Sequence, residues 1–362
     1  MKIAIALTDQ SFAHTKSMGI FNVSMGLTKG LMHHPEVTEL HILGNNECAD
    51  TFANSPKHVH LHLMDKPVPR RFERVWWDQV GLPLAVRKIN PEWIILPKGF
   101  PPFLPLFGHT KLACYVHDVI WEYYENLQNC RNSPFPTHEK LYFKALSYKA
   151  LKSSDVVLTS TQFNANRFLA HIPSTRPAVV GIGFDPIPEP DATRRRGSGI
   201  LFHVSSFPHK LTELGIKRLQ TWLAHRNDSS DIRIHCIGKV PPHIIPNNAN
   251  WLYHGKVSRE ELDNLMMQEC RACVYFSAYE GYGMPPVESL RCGLPCVSSD
   301  IPPIRENIPA QFLFRNDSEW DFIQTLDGAY DATTPISCPN YPSWEDVADN
   351  CIQALKQSST QA

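Results

Sequence analysis

Ala272-Cys-Val-Tyr-Phe-Ser-Ala278, Glu280-Gly-Tyr-Gly-Met-Pro-Pro-Val-Glu288 and Leu294-Pro-Cys-Val-Ser-Ser299 follow one another with only short gaps. The first is a nearly unbroken apolar run, the pattern of a strand buried on both faces of a parallel sheet. Pro285 and Pro286 suit the first turn of a helix, and Gly293 suits its C-terminal stop. The third segment reads as the next strand. Strand, helix and strand in so short a span make an α/β unit with parallel strands. On this reading Glu280 lies in the loop leaving a strand, and Glu288 lies in the first turn of the helix that follows.

The same alternation extends outward in both directions. Upstream, strands are predicted at Lys2 to Leu7, Glu39 to Leu43, His58 to Leu63, Trp93 to Leu96, Lys111 to Val116 and Val156 to Thr159. The first loop runs past Asp9 and carries Lys16-Ser-Met-Gly-Ile-Phe-Asn22, before a helix near Val23 to His33. Between Pro173 and Arg196 the composition shifts to Pro, Gly and the arginines Arg194 to Arg196, as an interdomain linker would. Further strands are expected at Gly199 to Val204, Ile232 to Ile237 and Pro295 to Ser298, with a helix from Arg259 to Glu269. The expected organisation is an α/β chain of two Rossmann-like doubly wound domains facing a central cleft. The first spans residues 1–182 and the second residues 183–343, with a last helix over 344–358.

Composition fits a globular protein, 43% hydrophobic and 20% charged. Met1-Lys-Ile-Ala-Ile-Ala-Leu reads as a first strand, not a signal sequence, and no uncharged run approaches the about 18 residues of a spanning helix. The ten cysteines show no paired spacing, so reduced thiols and a cytoplasmic location are expected. Net charge is −1, but residues 1–182 hold 19 Lys+Arg against 14 Asp+Glu, and the remainder 16 against 22. A basic first half could lean on the inner face of an anionic membrane or hold a phosphorylated acceptor. Random partition of charge is the plainer account. No nucleic-acid partner is expected.

In an open α/β sheet the loop after a strand and the start of the next helix form the place where anions bind. Two acidic side chains there would repel a bare phosphate, so the ligand must also offer hydroxyls. A sugar carried on a nucleotide diphosphate does, because a carboxylate accepts two hydrogen bonds from a vicinal diol. The Glu280–Glu288 segment resembles the E-x7-E signature of retaining glycosyltransferase family 4, enzymes of GT-B fold. Tyr253-His-Gly-Lys-Val-Ser258, the Arg259 to Glu269 helix and Ser298-Ser-Asp-Ile-Pro-Pro-Ile-Arg-Glu306 follow in the family's order and spacing. Weaker likeness covers Arg74-Val-Trp-Trp-Asp-Gln79, Val116-His-Asp118 and Ser154-Asp-Val-Val-Leu-Thr-Ser160. In this family the last helix crosses back onto the first domain.

The resemblance implies a role for each matching residue. Glu280 would hold donor-sugar hydroxyls and Glu288 the ribose diol. His117, at the end of a strand, matches the histidine that contacts the sugar near the reacting carbon, though a loop histidine bonded to nearby backbone reads the same way. Lys210, in Ser205-Ser-Phe-Pro-His-Lys210, matches the lysine on the leaving diphosphate. The family's arginine is missing from that loop, where Val204, Ser205 and Ser206 stand. Serine hydroxyls and backbone N–H groups could still bind phosphate, and Arg305, Arg259 or a residue of the N-terminal domain could substitute. Gly19 would let the first loop approach the diphosphate or acceptor, and Val257 would meet the nucleobase. Pro285 and Pro286 have no N–H to donate, so amides must come from Tyr282, Gly283, Met284 or Val287.

Other patterns carry less. Arg70-Arg-Phe-Glu-Arg-Val-Trp-Trp77 mixes cations with aromatics, and core packing is the plainer reading of its tryptophans. His58, His60 and His62 alternate on one strand face, but no carboxylate or cysteine is spaced to complete a metal site, so a solvent-facing strand is expected. Cys270 and Cys273 form a lone C-x-x-C and read as structural. The expectation is a metal-independent retaining hexosyltransferase needing no cofactor. It would move a sugar, mannose among the candidates, from a GDP- or UDP-linked donor to a glycan or lipid-linked acceptor in polysaccharide synthesis such as that of lipopolysaccharide. The rivals are a nucleotide-sugar-binding or scaffold protein that has lost transfer, and a sugar-nucleotide epimerase of the same fold.

Overall fold

A computed structural model of the 362-residue chain describes residues 1–8, 10, 18–64, 71–104, 106–126, 133, 136–187, 197–332, 336 and 339–360. Asp9, Lys16, Ser17, Arg70 and the Arg194 to Arg196 run lie outside the described residues. The chain divides into two compact units. One comprises Met1–Trp121, Phe135–Pro186 and Tyr341–Ala362; the other comprises Glu122–Pro134 and Ile187–Asn340.

The first unit is built on strands β1 (Lys2–Ala6), β2 (Glu39–Gly44), β3 (Val59–Leu63), β4 (Trp93–Leu96), β5 (Lys111–Tyr115), β6 (Val156–Thr159) and β7 (Pro177–Val179). They form one parallel sheet in the order β3-β2-β1-β4-β5-β6-β7. All four residues of β4 are buried, as are all four of β6, which is why these strands read as unbroken apolar runs. The short β7 was not expected and falls inside the stretch read as a linker. Pro177 opens it on the sheet's edge, where a missing N–H costs no ladder bond. The first helix starts at Met18 rather than near Val23, so Gly19 stands in its first turn and not in the loop before it.

The C-terminal helix Trp344–Thr360 packs on the Met18–His33 helix within this unit. Gly26 makes that contact possible, since a Cβ there would stand 2.0 Å from Cε2 of Trp344. At the far end Ser358 Oγ donates to the Asp155 carbonyl at 2.9 Å.

The second unit holds β8 (Gly199–Ser205), β9 (Ile234–Lys239), β10 (Trp251–Gly255), β11 (Cys270–Tyr275), β12 (Cys296–Ser299) and β13 (Leu313–Phe314). Their parallel order is β10-β9-β8-β11-β12-β13. Aromatic rings fill one face: Phe276 lies 4.7 Å from Phe314 and 5.1 Å from Phe322 between centroids. The helix expected over Arg259 to Glu269 is α-helical to Asn264 and then widens into a π turn, Leu265–Glu269. Cys270 and Cys273 are buried in β11, and all eight described free cysteines are buried. In each sheet the strand order reverses once, between β1 and β4 and between β8 and β11. Loops leaving the carboxyl ends of such a pair diverge and leave room for a ligand.

The two tryptophans expected in the core part company. Trp77 packs on the first unit's core, but Trp76 is 59% exposed, with Val75 beside it also exposed.

Candidate functional site

The loops leaving β8 and β11 bring together the residues singled out on each. Ala278 N–H donates to the His209 carbonyl at 2.7 Å, and Ser277 Oγ donates to the same oxygen at 3.2 Å. This stitching sets Lys210 beside Glu280: Lys210 Nζ donates to Glu280 Oε1 at 2.6 Å. The hydroxyl of Tyr275, the last residue of β11, also donates to Glu280 Oε1 at 2.7 Å and accepts from Lys210 Nζ at 2.8 Å. Burial opposes ionisation of Glu280, yet the Lys210 ammonium outweighs it and holds the carboxyl below the ordinary range. The same surroundings, burial first and then the Glu280 charge, push the Tyr275 phenol well up, so it stays a donor. Both protein bonds to Glu280 fall on Oε1, which leaves Oε2 to accept hydroxyls.

In the sequence Tyr275 reads only as part of the apolar strand. The signal available was its place, a polar-tipped aromatic at the carboxyl end of a strand next to the sheet's reversal. Leu211, directly after Lys210, has φ +47°, a left-handed conformation costly for a residue with a side chain. It turns the chain from the Pro208–Lys210 turn into the helix Thr212–Ala224.

The structure narrows which groups of the β8 loop are free to meet an anion. Ser205 N–H is committed to Thr212 Oγ1 at 2.9 Å and Ser206 N–H to the Lys239 carbonyl at 3.0 Å. Their amides are therefore spent on the turn and on the β8–β9 ladder, contrary to the expectation that they could serve phosphate. Ser205 Oγ accepts from Phe207 N–H at 3.2 Å, while Ser206 is exposed. His209 is buried, its Nδ1 2.7 Å from the Tyr124 hydroxyl. Burial, and after it the Lys210 charge, depress His209 to about 4. A neutral imidazole is no replacement for the missing arginine. Arg305 is bound to Asp300 through two nitrogens. Lys210 is thus the cation of this loop.

Beyond Glu280 the chain turns at Gly283, φ +93°, and enters the helix Met284–Arg291. A non-glycine residue there would be strained, and its Cβ would lie 3.1 Å from Ile304. Gly283 caps this helix, so Val287 is its fourth residue, whose N–H closes the first helical bond. Val287 therefore has no amide to offer, a correction; Gly283 and Met284 supply the free ones. Glu288 follows in the second turn, not the first, because the helix begins only at Met284. Burial pushes its carboxyl upward, against the pull of Arg259, whose Nη1 is 3.6 Å away. Arg259 also pairs with Asp263 at 2.8 Å. It extends from the helix that begins two residues after Val257, so Glu288 and the Val257 loop face a common region. Tyr282 is buried, with its carbonyl accepting from Asn307 at 3.3 Å.

In the first unit, His117 follows β5. Its Nε2 lies 2.8 Å from the Pro97 carbonyl, so Nε2 carries the proton and Nδ1 a lone pair. Burial depresses His117 to about 4, leaving it neutral near pH 7. Asn164 anchors its carbonyl at 2.8 Å. Asp118 accepts from the Ile120 N–H at 2.9 Å, the capping role considered for it.

Residues 245–320 match the family model described as glycosyl transferases group 1. The matched stretch contains Val257, Glu280, Gly283 and Glu288. The fold is that of the GT-B glycosyltransferases. Over 234 residues, 58% of this chain, the sequence is 24% identical to the O-antigen chain mannosyltransferase RfbU of Salmonella typhimurium. The match spans 62% of that relative's length. Among solved structures, WaaG, a glycosyltransferase involved in lipopolysaccharide biosynthesis, superposes with a TM-score of 0.63 at 14% identity, covering 99% of this chain and 95% of WaaG. Anabaena HepE, solved in complex with UDP and glucose, gives 0.59 at 12% identity over 100% and 98%. No helix among the described residues is long and apolar enough to cross a membrane.

Proposed function

We propose that this chain is a glycosyltransferase of retaining family 4, moving a sugar from a nucleotide-diphospho-sugar to a glycan or lipid-linked acceptor in cell-surface polysaccharide synthesis. The observation that carries the reading is the Lys210–Tyr275–Glu280 group at the reversal of the second sheet, beside the Gly283–Met284 helix start. Glu280 Oε2 accepts from sugar hydroxyls, and Lys210 and the two free amides meet the diphosphate. Glu288 receives the ribose diol, with Val257 near the base. Gly19 in its helix's first turn and the Ser206 hydroxyl are the remaining donor contacts, and His117 Nδ1 accepts from the sugar.

Retention follows a front-face path, in which the departing diphosphate takes the acceptor's proton while Lys210 offsets its growing charge. No metal or cofactor takes part. The likeness to RfbU favours mannose as the sugar, carried on GDP or UDP. Exposed Trp76 and Leu141, with the basic balance of the first half, support peripheral contact with the inner membrane face.

Titration calorimetry with GDP, UDP, GDP-mannose and UDP-glucose in EDTA tests the donor side. Micromolar binding of one nucleotide class, lost or weakened in Glu288→Ala, is expected. Binding of none of them, or binding only when a divalent ion is added, would overturn it.

A further inference from the structure

The histidines of β3 do not stand alone. Parallel pairing of β2 with β3 sets His41 opposite His60 and Leu43 opposite His62. Side chains two apart on a strand share a face, and paired residues share it too. Glu39 and His41 of β2 therefore project with His60 and His62 of β3. The carboxylate that sequence spacing could not supply comes from the neighbouring strand.

We propose that Glu39, His41 and His60 bind one divalent transition-metal ion of the zinc class, with His62 positioning His41. One ligand atom from each of the three lies within 4.8 Å of the others. Glu39 Oε2 and His41 Nε2 are already 3.2 Å apart, close to the roughly 3.3 Å edge of a tetrahedron with metal–nitrogen bonds of about 2.0 Å. His60 is exposed and its ring lies over that of His41 at 4.8 Å between centroids, so a rotation about its own bonds closes the remaining gap. His41 is buried and fixed from behind, its Nδ1 2.9 Å from His62 Nε2. With a metal on Nε2, the ring proton rests on Nδ1 and is donated to His62. This is the outer-shell bond that orients metal-binding imidazoles.

Lys2 Nζ lies 3.3 Å from Glu39 Oε2, and among the described residues Lys88 also acts electrostatically on His62. A divalent ion replaces the Lys2 ammonium as partner of Glu39, and Lys2, on the adjoining strand, swings into water. Two imidazoles and a carboxylate with a water in the fourth position match zinc, and cobalt as its spectroscopic stand-in. The consequence is mechanical. None of the five residues of the edge strand β3 is fully buried, so the core holds it weakly; a metal bound across the two strands pins it to β2.

The test uses the full-length, untagged protein after treatment with chelator and dialysis. Titration with Co2+ is expected to produce tetrahedral visible bands that saturate at one equivalent and vanish when Zn2+ is added. Zn2+ should also raise the thermal midpoint. His60→Gln, at an exposed position, should keep the far-ultraviolet spectrum of the wild type and lose both the bands and the midpoint gain. His62→Gln should bind with roughly 10–100-fold lower affinity. Weak binding that never saturates, or His60→Gln binding Co2+ as the wild type does, would sink the proposal.

Discussion

Glu280 and Glu288 carry the same functional group, and their surroundings drive them in opposite directions. Lys210 and Tyr275 hold Glu280 ionised despite burial. Glu288 is desolvated with only a longer contact to Arg259, so its carboxyl is raised. A raised carboxyl in the folded state favours the protonated form. Its stability contribution is complete below the ordinary glutamate value and is lost as pH rises through the raised one. Glu288→Gln should therefore melt higher than wild type near pH 7, the difference shrinking as pH falls to the ordinary glutamate value. The same change should cost nucleotide binding about 1.5–3 kcal/mol, the usual worth of charged hydrogen bonds. A variant that melts no higher at neutral pH, or binds nucleotide as well, would contradict this account of Glu288. At this scale the sequence showed which residues bear charge next to glycines, but not their partners. Tyr275 and Arg259 act through contacts formed across strands and between loops, and no spacing along the chain reports those.

Elements were more legible than partners because their signals are local. The apolar runs of β4, β6 and β11, the proline pair of the Met284–Arg291 helix and Gly293 at its end all lie within a few residues of what they specify. Boundaries shifted where tertiary packing extends an element. The first helix gains a turn before Val23, and this moved Gly19 into it. It also buries Val23 to Thr28 along much of its surface, with Trp344 of the C-terminal helix above Gly26. Alanine favours a helix over glycine by up to about 1 kcal/mol, so Gly26→Ala would stabilise an isolated helix. Here the added Cβ would overlap an indole that is itself 93% removed from solvent, and overpacking of that kind costs about 1–3 kcal/mol. The clash should win. Gly26→Ala is expected to lower the thermal midpoint by several degrees and to speed proteolysis of the C-terminal helix, with nucleotide affinity unchanged. A higher midpoint would mean that Trp344 yields easily and that the glycine is not there for packing.

For the whole molecule, two parallel sheets with one reversal each follow from alternating strands and helices, and the alternation was visible in the sequence except at the short or outer strands β7, β10 and β13. Alternation of elements does not distinguish the proposed sugar transfer from binding of the carrier alone. The arginine absent from the β8 loop makes that question sharp, because neither His209 nor Arg305 replaces it. On the proposed function, Lys210 would stabilise the leaving diphosphate with two amides and no second cation from that loop. Removing a comparable transition-state donor costs about 10²–10³ in turnover. Lys210→Ala alone would also leave Glu280 buried without its counter-charge, a destabilising change in itself. The informative comparison is therefore Lys210→Ala combined with Glu280→Gln, set against Glu280→Gln alone. With the donor selected by calorimetry and a membrane-derived glycan as acceptor, proton NMR of the anomeric region follows both transfer and hydrolysis in EDTA. A transferase gives product with the donor's anomeric configuration, and the double variant loses at least about 10²-fold in turnover relative to the single one, with circular dichroism unchanged. A carrier-binding protein gives tight association with neither product nor hydrolysis. An epimerase converts the donor before any acceptor is added.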